Sequence, residues 1–207
     1  MMLAAAVGMT AGYFGGWLDD ALSLLTNVFL IIPGLPLAVV IAAYLPPGPL
    51  AMTVVLTVTC WAWPARVLRA QTLSLRQKDF VAAAVVSGEG SLRIIFREIL
   101  PNMTSVFAAG FVSATLYAIA AQVGLEFLGL GNLSLVTWGT NLYWANNGAA
   151  LLTGAWWTVV PTGLCVALVG AGLALVNSGL DEIGNPRLRA EREAARPRLQ
   201  LESADAR

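Results

Sequence analysis

The sequence predicts an all-α polytopic membrane bundle, with four complete spans and a partial N-terminal one. Three observations carry that prediction. Of 207 residues, 57% are apolar and 12% charged, against about 45–50% and about 25% in soluble domains. No Asp, Glu, Lys or Arg occurs in the 54 residues from Phe127 to Leu180, whereas one bilayer crossing takes about 20 residues. Every Lys and Arg falls in one of two clusters: Arg66, Arg69, Arg76, Lys78, Arg93 and Arg97, then Arg187, Arg189, Arg192, Arg196, Arg198 and Arg207. Basic residues near span ends stay on the cytoplasmic side. Both clusters therefore face the cytoplasm, with an even number of crossings between them.

The elements follow in order. Met1–Tyr13 is apolar but short of a crossing, and it reads as the inner end of a helix whose outer part is missing. It has no basic residue ahead of its apolar run, so it does not resemble a cleaved signal peptide. After the Gly15-Gly16 break, Asp19 and Asp20 are expected in the cytoplasm, followed by an uncharged span, Ala21–Leu45, kinked by Pro33 and Pro36. Pro46-Pro47-Gly48-Pro49 is a tight outer turn. Leu50–Ala65 returns, with Arg66 and Arg69 snorkelling at its inner end.

The next segment, Gln71–Asn102, has helical order of its own. Asp79 is placed to cap a short helix, Phe80–Ser87, that ends at Gly88. Ser91 is placed to cap a second, Leu92–Leu100, stopped by Pro101. Leu92, Ile95, Phe96 and Ile99 share one apolar face of that helix, with Arg93 and Arg97 opposite. Ala83 and Ala84 are small enough for a partner surface to approach the first helix. Two readings stand: a helix pair packed beneath its own bundle, or a docking element for a soluble protein.

Met103–Leu125 and Ala149–Val176 supply the two crossings between the basic clusters. Between them, Glu126–Gly148 is rich in Gly, Asn and Trp and reads as an outer loop, with Trp138 and Trp144 suited to the interface. The small-residue rows Gly163, Ala167, Ala171 and Gly170, Ala174 allow close helix packing. The tail 187–207 mixes acids and bases around Pro197 and reads as disordered.

Several function classes drop out. Histidine, the commonest general base and metal ligand, is absent. Net charge is zero, so nucleic acid is not an expected partner. Cys60 and Cys165 sit in apolar runs and read as small hydrophobes. Ser113 and Thr115 have no base near them in sequence and read as packing or backbone-bonding residues. No Gly-rich Lys-Ser/Thr phosphate cradle occurs, so no nucleotide site of that kind is expected, and neither a cofactor nor a metal. Glu126, the only acid between Glu98 and Asp181, is a solvated helix end, a contact for an amino terminus, or a candidate outer gate.

The loop residues Asp79-Phe80-Val81-Ala82-Ala83-Ala84, then Gly88, then Leu92-Arg93-Ile94-Ile95-Phe96-Arg97-Glu98-Ile99-Leu100-Pro101-Asn102 resemble the EAA loop of ABC-importer permeases, closest to the dipeptide/oligopeptide/nickel branch. The resemblance covers nearly the whole chain. Ala11-Gly12-Tyr13-Phe14-Gly15-Gly16-Trp17-Leu18-Asp19 is similar to the family's turn before its third span. Phe127-Leu128-Gly129-Leu130-Gly131 and Trp138-Gly139 are similar to its outer loop, and Asn185-Pro186-Arg187 resembles the Asp-Pro-Arg that closes its last span. The chain starts near the inner end of what would be the family's second span.

That resemblance implies a permease domain over 1–186 in a bacterial or archaeal cytoplasmic membrane, forming half of a pathway for peptides or similar small solutes. It implies a second homologous permease, two ATPase subunits and an extracytoplasmic solute-binding protein as partners, with the lipid bilayer around them. The residues it assigns to ATPase coupling are Asp79, Phe80, Val81, Ala82, Ala83, Ala84, Gly88, Leu92, Arg93, Phe96, Arg97 and Pro101. The family's glutamate falls on Ala82, a change that removes a contact of about 1–3 kcal/mol. The alternative is a non-transporting scaffold or a degenerate, truncated permease fragment.

Overall fold

The computed structural model describes residues 1–184, with side chains through Leu180. The Asn185-Pro186-Arg187 match and the tail 187–207 lie outside the described residues. Every element among the described residues is a helix.

α1 (Met2–Phe14) runs beside α5 (Ala62–Arg76) along its length. The reason is side-chain size. A Cβ on Gly8 would stand 2.3 Å from the Ala65 carbonyl oxygen, and one on Gly12 would stand 2.8 Å from both the Arg69 oxygen and the Thr72 Cβ. Ala4, Gly8 and Gly12 are four apart, so one row of small residues brings the two backbones into contact.

The expected single span 21–45 is two helices. α2 (Gly16–Ile31) and α3 (Gly34–Tyr44) meet at 88°. Pro33 has no N–H to continue the α2 ladder, and it forces Ile32 into extended backbone at φ −74°, ψ 126°. Pro36 then falls in the first turn of α3, where no N–H is needed, so it does not kink the chain. Asp19 lies in the first turn of α2 and Asp20 directly follows it, so neither precedes the helix.

The span expected over 50–65 also differs. α4 (Pro49–Cys60) and α5 bend by 45° at Trp61, where the Trp61 indole packs edge-on against Phe29. Gln71–Arg76, expected in the loop, continue α5.

α6 (Asp79–Val86), α7 (Ser91–Arg93), a π-helical segment (Ile94–Ile99) and α8 (Leu100–Asn102) make the connection to α9 (Thr104–Phe127). The expected outer loop contains a helix, α10 (Trp138–Asn147). The last span starts later than Ala149: turns fill 148–154, with Ala149 at φ 49° and Gly154 at φ 81°, before a 3-10 turn (Trp156–Thr158) and α11 (Val160–Gly184). Such left-handed residues cannot sit in an α-helix.

Two helices, 104–127 and the one through 156–180, are long and apolar enough to cross a membrane, and four spans result if each bent pair counts as one. The core divides accordingly. Ala4, Met9, Trp61, Leu68, Val81, Ile94, Ile99 and Met103 form one cluster, and Ala38, Ala42, Met52, Val55 and Leu125 form the other. Met103 and Leu125 flank the two ends of α9, which at about 1.5 Å per residue is about 36 Å long. The 77–102 connection therefore sits at one end of the bundle. The Pro46–Pro49 turn and the 126–148 segment share the other.

Candidate functional site

The connection begins at Lys78, whose extended backbone starts α6. Asp79 is the first residue inside the helix and makes no side-chain cap, contrary to the expected role. Its charge still favours the positive end of the helix dipole. Gly88 terminates α6 at φ 78°. Its N–H donates to the Val85 carbonyl, and the Glu89 N–H donates to Ala84. This paired closure needs a left-handed residue at Gly88.

One face of α6 is anchored. Val81 is buried in the loop-end cluster, with Phe80 and Ala84 packed against it. Ala82, Ala83, Val85 and Val86 face outward. Of the two alanines expected to admit a partner, only Ala83 is exposed; Ala84 serves the core.

The second helix departs further from expectation. Gly90, not Ser91, is its N-cap, and no side chain caps it. Its middle is π-helical, with the Leu100 N–H reaching the Ile95 carbonyl. The extra residue per turn changes the buried set. Ile94, Ile95 and Ile99 point inward, while Leu92 is 68% and Phe96 61% exposed. An α-helical count puts Leu92, Ile95, Phe96 and Ile99 on one face; the wider turn splits them. It also gives the Pro101 ring room, so the chain stays helical through Asn102.

Val85, Val86, Leu92 and Phe96 are all exposed on this segment, among charged groups. Arg93 pairs with Glu89 at 3.5 Å, and Arg97 is exposed. A groove of about 420 Å³ runs along α6, lined by Tyr13, Phe14, Arg76, Ala82 and Val86 among others. The Arg76 guanidinium stands 5.9 Å from the Tyr13 ring centroid, close enough for cation–π attraction. Ala82 thus sits in one groove with a cation.

Arg69, expected only to snorkel, reaches Asp19. Its Nη2 donates to Oδ2 at 2.6 Å and its Nε donates to Oδ1, which also accepts from Ser23 Oγ at 3.0 Å.

At the opposite end, Glu126 is 6% exposed and is not a solvated helix terminus. Thr137 Oγ1 donates to Oε2 at 2.6 Å and Gln122 Nε2 donates to Oε1 at 2.9 Å. Thr137 is the N-cap of α10: its hydroxyl accepts from the Thr140 N–H at 3.1 Å, and its own N–H donates to Thr140 Oγ1 at 2.9 Å. Gly139 lets α10 approach so closely that a Cβ there would lie 2.4 Å from the Glu126 Cβ. Thr137-x-x-Thr140 before an aromatic run was a readable capping signal.

A cavity of about 690 Å³ lies between α2, α5, α9 and α11, with Trp63, Ser113, Tyr117 and Asn177 in its wall. Ser113 Oγ donates to Asn177 Oδ1 at 3.3 Å, a bond consistent with the packing role expected of Ser113.

A family model described as "Binding-protein-dependent transport system inner membrane component" matches residues 4–190. The chain is 32% identical over 196 residues to the dipeptide transport system permease protein DppC of Alkalihalophilus pseudofirmus, covering 92% of this chain and 62% of that protein. It is 30% identical over 190 residues to DppC of Bacillus subtilis, covering 91% and 58%. It is 30% identical over 197 residues to the oligopeptide transport system permease protein OppC of Mycobacterium bovis, covering 94% and 67%. The chain therefore spans about three-fifths of the length of the first two. With a match over residues 4–190 and relatives of this kind, the chain belongs to the family of binding-protein-dependent transport system inner membrane components.

Proposed function

We propose that the chain is a multi-pass permease subunit of an ABC importer for peptides or similar small solutes, in a bacterial or archaeal cytoplasmic membrane. Residues 1–186 are its permease domain, and it forms half of the pathway with a second, homologous permease. Two ATPase subunits drive it, and an extracytoplasmic binding protein delivers the solute. ATP hydrolysis belongs to those partners. The names of the relatives, peptide permeases throughout, support the solute class.

The observation that carries the reading is the exposure of Val85, Val86, Leu92 and Phe96 on a segment anchored inwardly by Val81, Ile94 and Ile99. Val86 is 88% exposed although it lies on the segment between the basic residues, where lipid would not cover it. Aromatic and aliphatic side chains exposed together on a charged segment mark a protein contact. Docking of an ATPase on α6 and the π-helical segment places Asp79, Ala82, Ala83, Arg93 and Arg97 at its edges, while Gly88 and Pro101 shape the surface. At the other end the Glu126–Thr137 pair holds α10 against α9, as an outer gate requires.

The test is co-purification of the chain with the products of its neighbouring genes from the native host. The ATPase subunits and a second permease should accompany it. An Ala83→Trp variant should lose the ATPases while keeping the permease. Retention of both by that variant would remove the docking assignment.

A further inference from the structure

The cavity beside Glu126 is a second feature that chemistry can interpret. It holds about 570 Å³ and is lined by Ile119, Gln122, Val123, Glu126, Val136, Thr137, Trp138 and Asn141. Most of the donors in the polar lining are already engaged within the protein. The Thr137 hydroxyl and the Gln122 amide both donate to the Glu126 carboxylate. Asn141 Nδ2 donates to Thr162 Oγ1 and to the Thr158 carbonyl at 3.3 Å. These donors are engaged within the protein, which leaves the second Gln122 N–H and the Trp138 indole N–H. The larger remaining capacity is for acceptance: the oxygens of Gln122 and Asn141 and the unused lone pairs of the carboxylate, which can take about four hydrogen bonds and receives two here.

Charge points the same way. Among the described residues no Lys or Arg lies within ion-pair distance of Glu126. A carboxylate nine-tenths buried without a cation calls for a positive partner. Trp138 stands exposed at the rim, and its ring face attracts cations. A group that satisfies all of these at once is a compact cation with several N–H donors.

We infer that this cavity binds the primary ammonium group of the solute, with Glu126 as its counter-ion, Gln122 and Asn141 as acceptors and Trp138 at the entrance. The inference rests on the peptide-import reading and names the end of the solute that the permease itself recognises. The chemistry is shared by a peptide's amino terminus and by a lysine side chain.

The experiment is equilibrium dialysis of the purified permease–ATPase complex, without binding protein, against radiolabelled trialanine, N-acetyl-trialanine and N-acetyl-Ala-Lys-Ala. Trialanine should bind at least about tenfold more tightly than its acetylated form, a difference of about 1.4 kcal/mol. Glu126→Gln keeps an oxygen for Thr137 and should abolish that preference while leaving the weak acetyl-peptide binding unchanged. Trp138→Leu, away from the Glu126–Thr137 bond, should reduce the preference in part. Tight binding of the lysine peptide would extend the site to side-chain ammonium groups; weak binding would confine it to the amino terminus. Equal affinities for trialanine and N-acetyl-trialanine in the wild type would overturn the inference, as would Glu126→Gln lowering both alike. Uptake of trialanine by the same complex in liposomes, with ATP and the binding protein, tests the import reading separately. If that uptake occurs while the preference is absent, the ammonium site alone is wrong.

Discussion

Arg69 on α5 clasps Asp19 on α2 through two nitrogen–oxygen bonds, and the pair joins helices fifty residues apart in sequence. The pair ties α2 to the α5 stem that leads into the α6 segment. Asp19→Asn or Arg69→Gln alone should lower unfolding stability in detergent by about 1–3 kcal/mol, because each leaves a charge without its partner. The double variant should recover part of that loss. Strict additivity across the cycle would mean that the two residues do not interact.

The α1–α5 contact makes a second prediction. Gly8→Leu forces side-chain atoms into the Ala65 carbonyl and should reduce folded yield sharply, a penalty of about 1–3 kcal/mol or more for overpacking. Gly163→Ala on α11, where a Cβ meets open space, should be neutral. Monodisperse protein recovered by fluorescence-detected size exclusion is the readout. Equal yields for the two variants would contradict the described packing.

In the α6 segment, Gly88→Val places a β-branched residue at a left-handed backbone and should cost more than about 1 kcal/mol locally. Gly88→Val should weaken ATPase retention and uptake while leaving membrane insertion intact. Phe96→Ser should do the same without lowering thermal stability, because its ring is exposed. Ala84→Trp should instead destabilise the chain itself, since Ala84 packs on the core. Full ATPase retention by both Gly88→Val and Phe96→Ser would show that this surface is not the contact.

Ala82→Glu supplies a carboxylate in the groove that Arg76 lines. It should strengthen ATPase retention where the partner presents a polar group, and it should add at most about 1 kcal/mol to the stability of the chain alone. Loss of retention would place Ala82 at a spot where the partner packs without charge.

Orientation is checked by single cysteines at Lys78 and Val136 in a background without Cys60 and Cys165. Membrane-impermeant maleimide on intact cells should label position 136, which is fully exposed, and spare position 78. Labelling of position 78 would invert the topology.

Much of the architecture was legible because two signals are strong in one sequence: where the charges are, and where apolar runs stop. Those located α9 and the two ends of the bundle, while Gly88 marked the end of α6. The failures have a common cause. Whether Pro33 kinks a helix or ends it depends on what waits to receive α3, and a local pattern does not contain that. The face of the second loop helix was misread because periodicity assumed 3.6 residues per turn. Glu126 looked like a solvated end because its partner Thr137 lies across a turn whose closure depends on Gly131 and Gly139. The Ala4, Gly8, Gly12 row was readable by the same rule that picked out Gly163, Ala167 and Ala171, although the structure leaves that second row exposed.

The π-helical stretch Ile94–Ile99 amounts to one residue more than an α-helix needs to cover the same rise. Excising a single residue there would restore α-helical winding and rotate everything before it by about 100° relative to Ile99 and Met103. Leu92 and Phe96 would swing toward the bundle, and Arg93 would turn with them. The segment thus sets the phase of the winding, fixing which side chains face the bundle and which face away from it. Length, and not only composition, is under constraint between Gly90 and Met103.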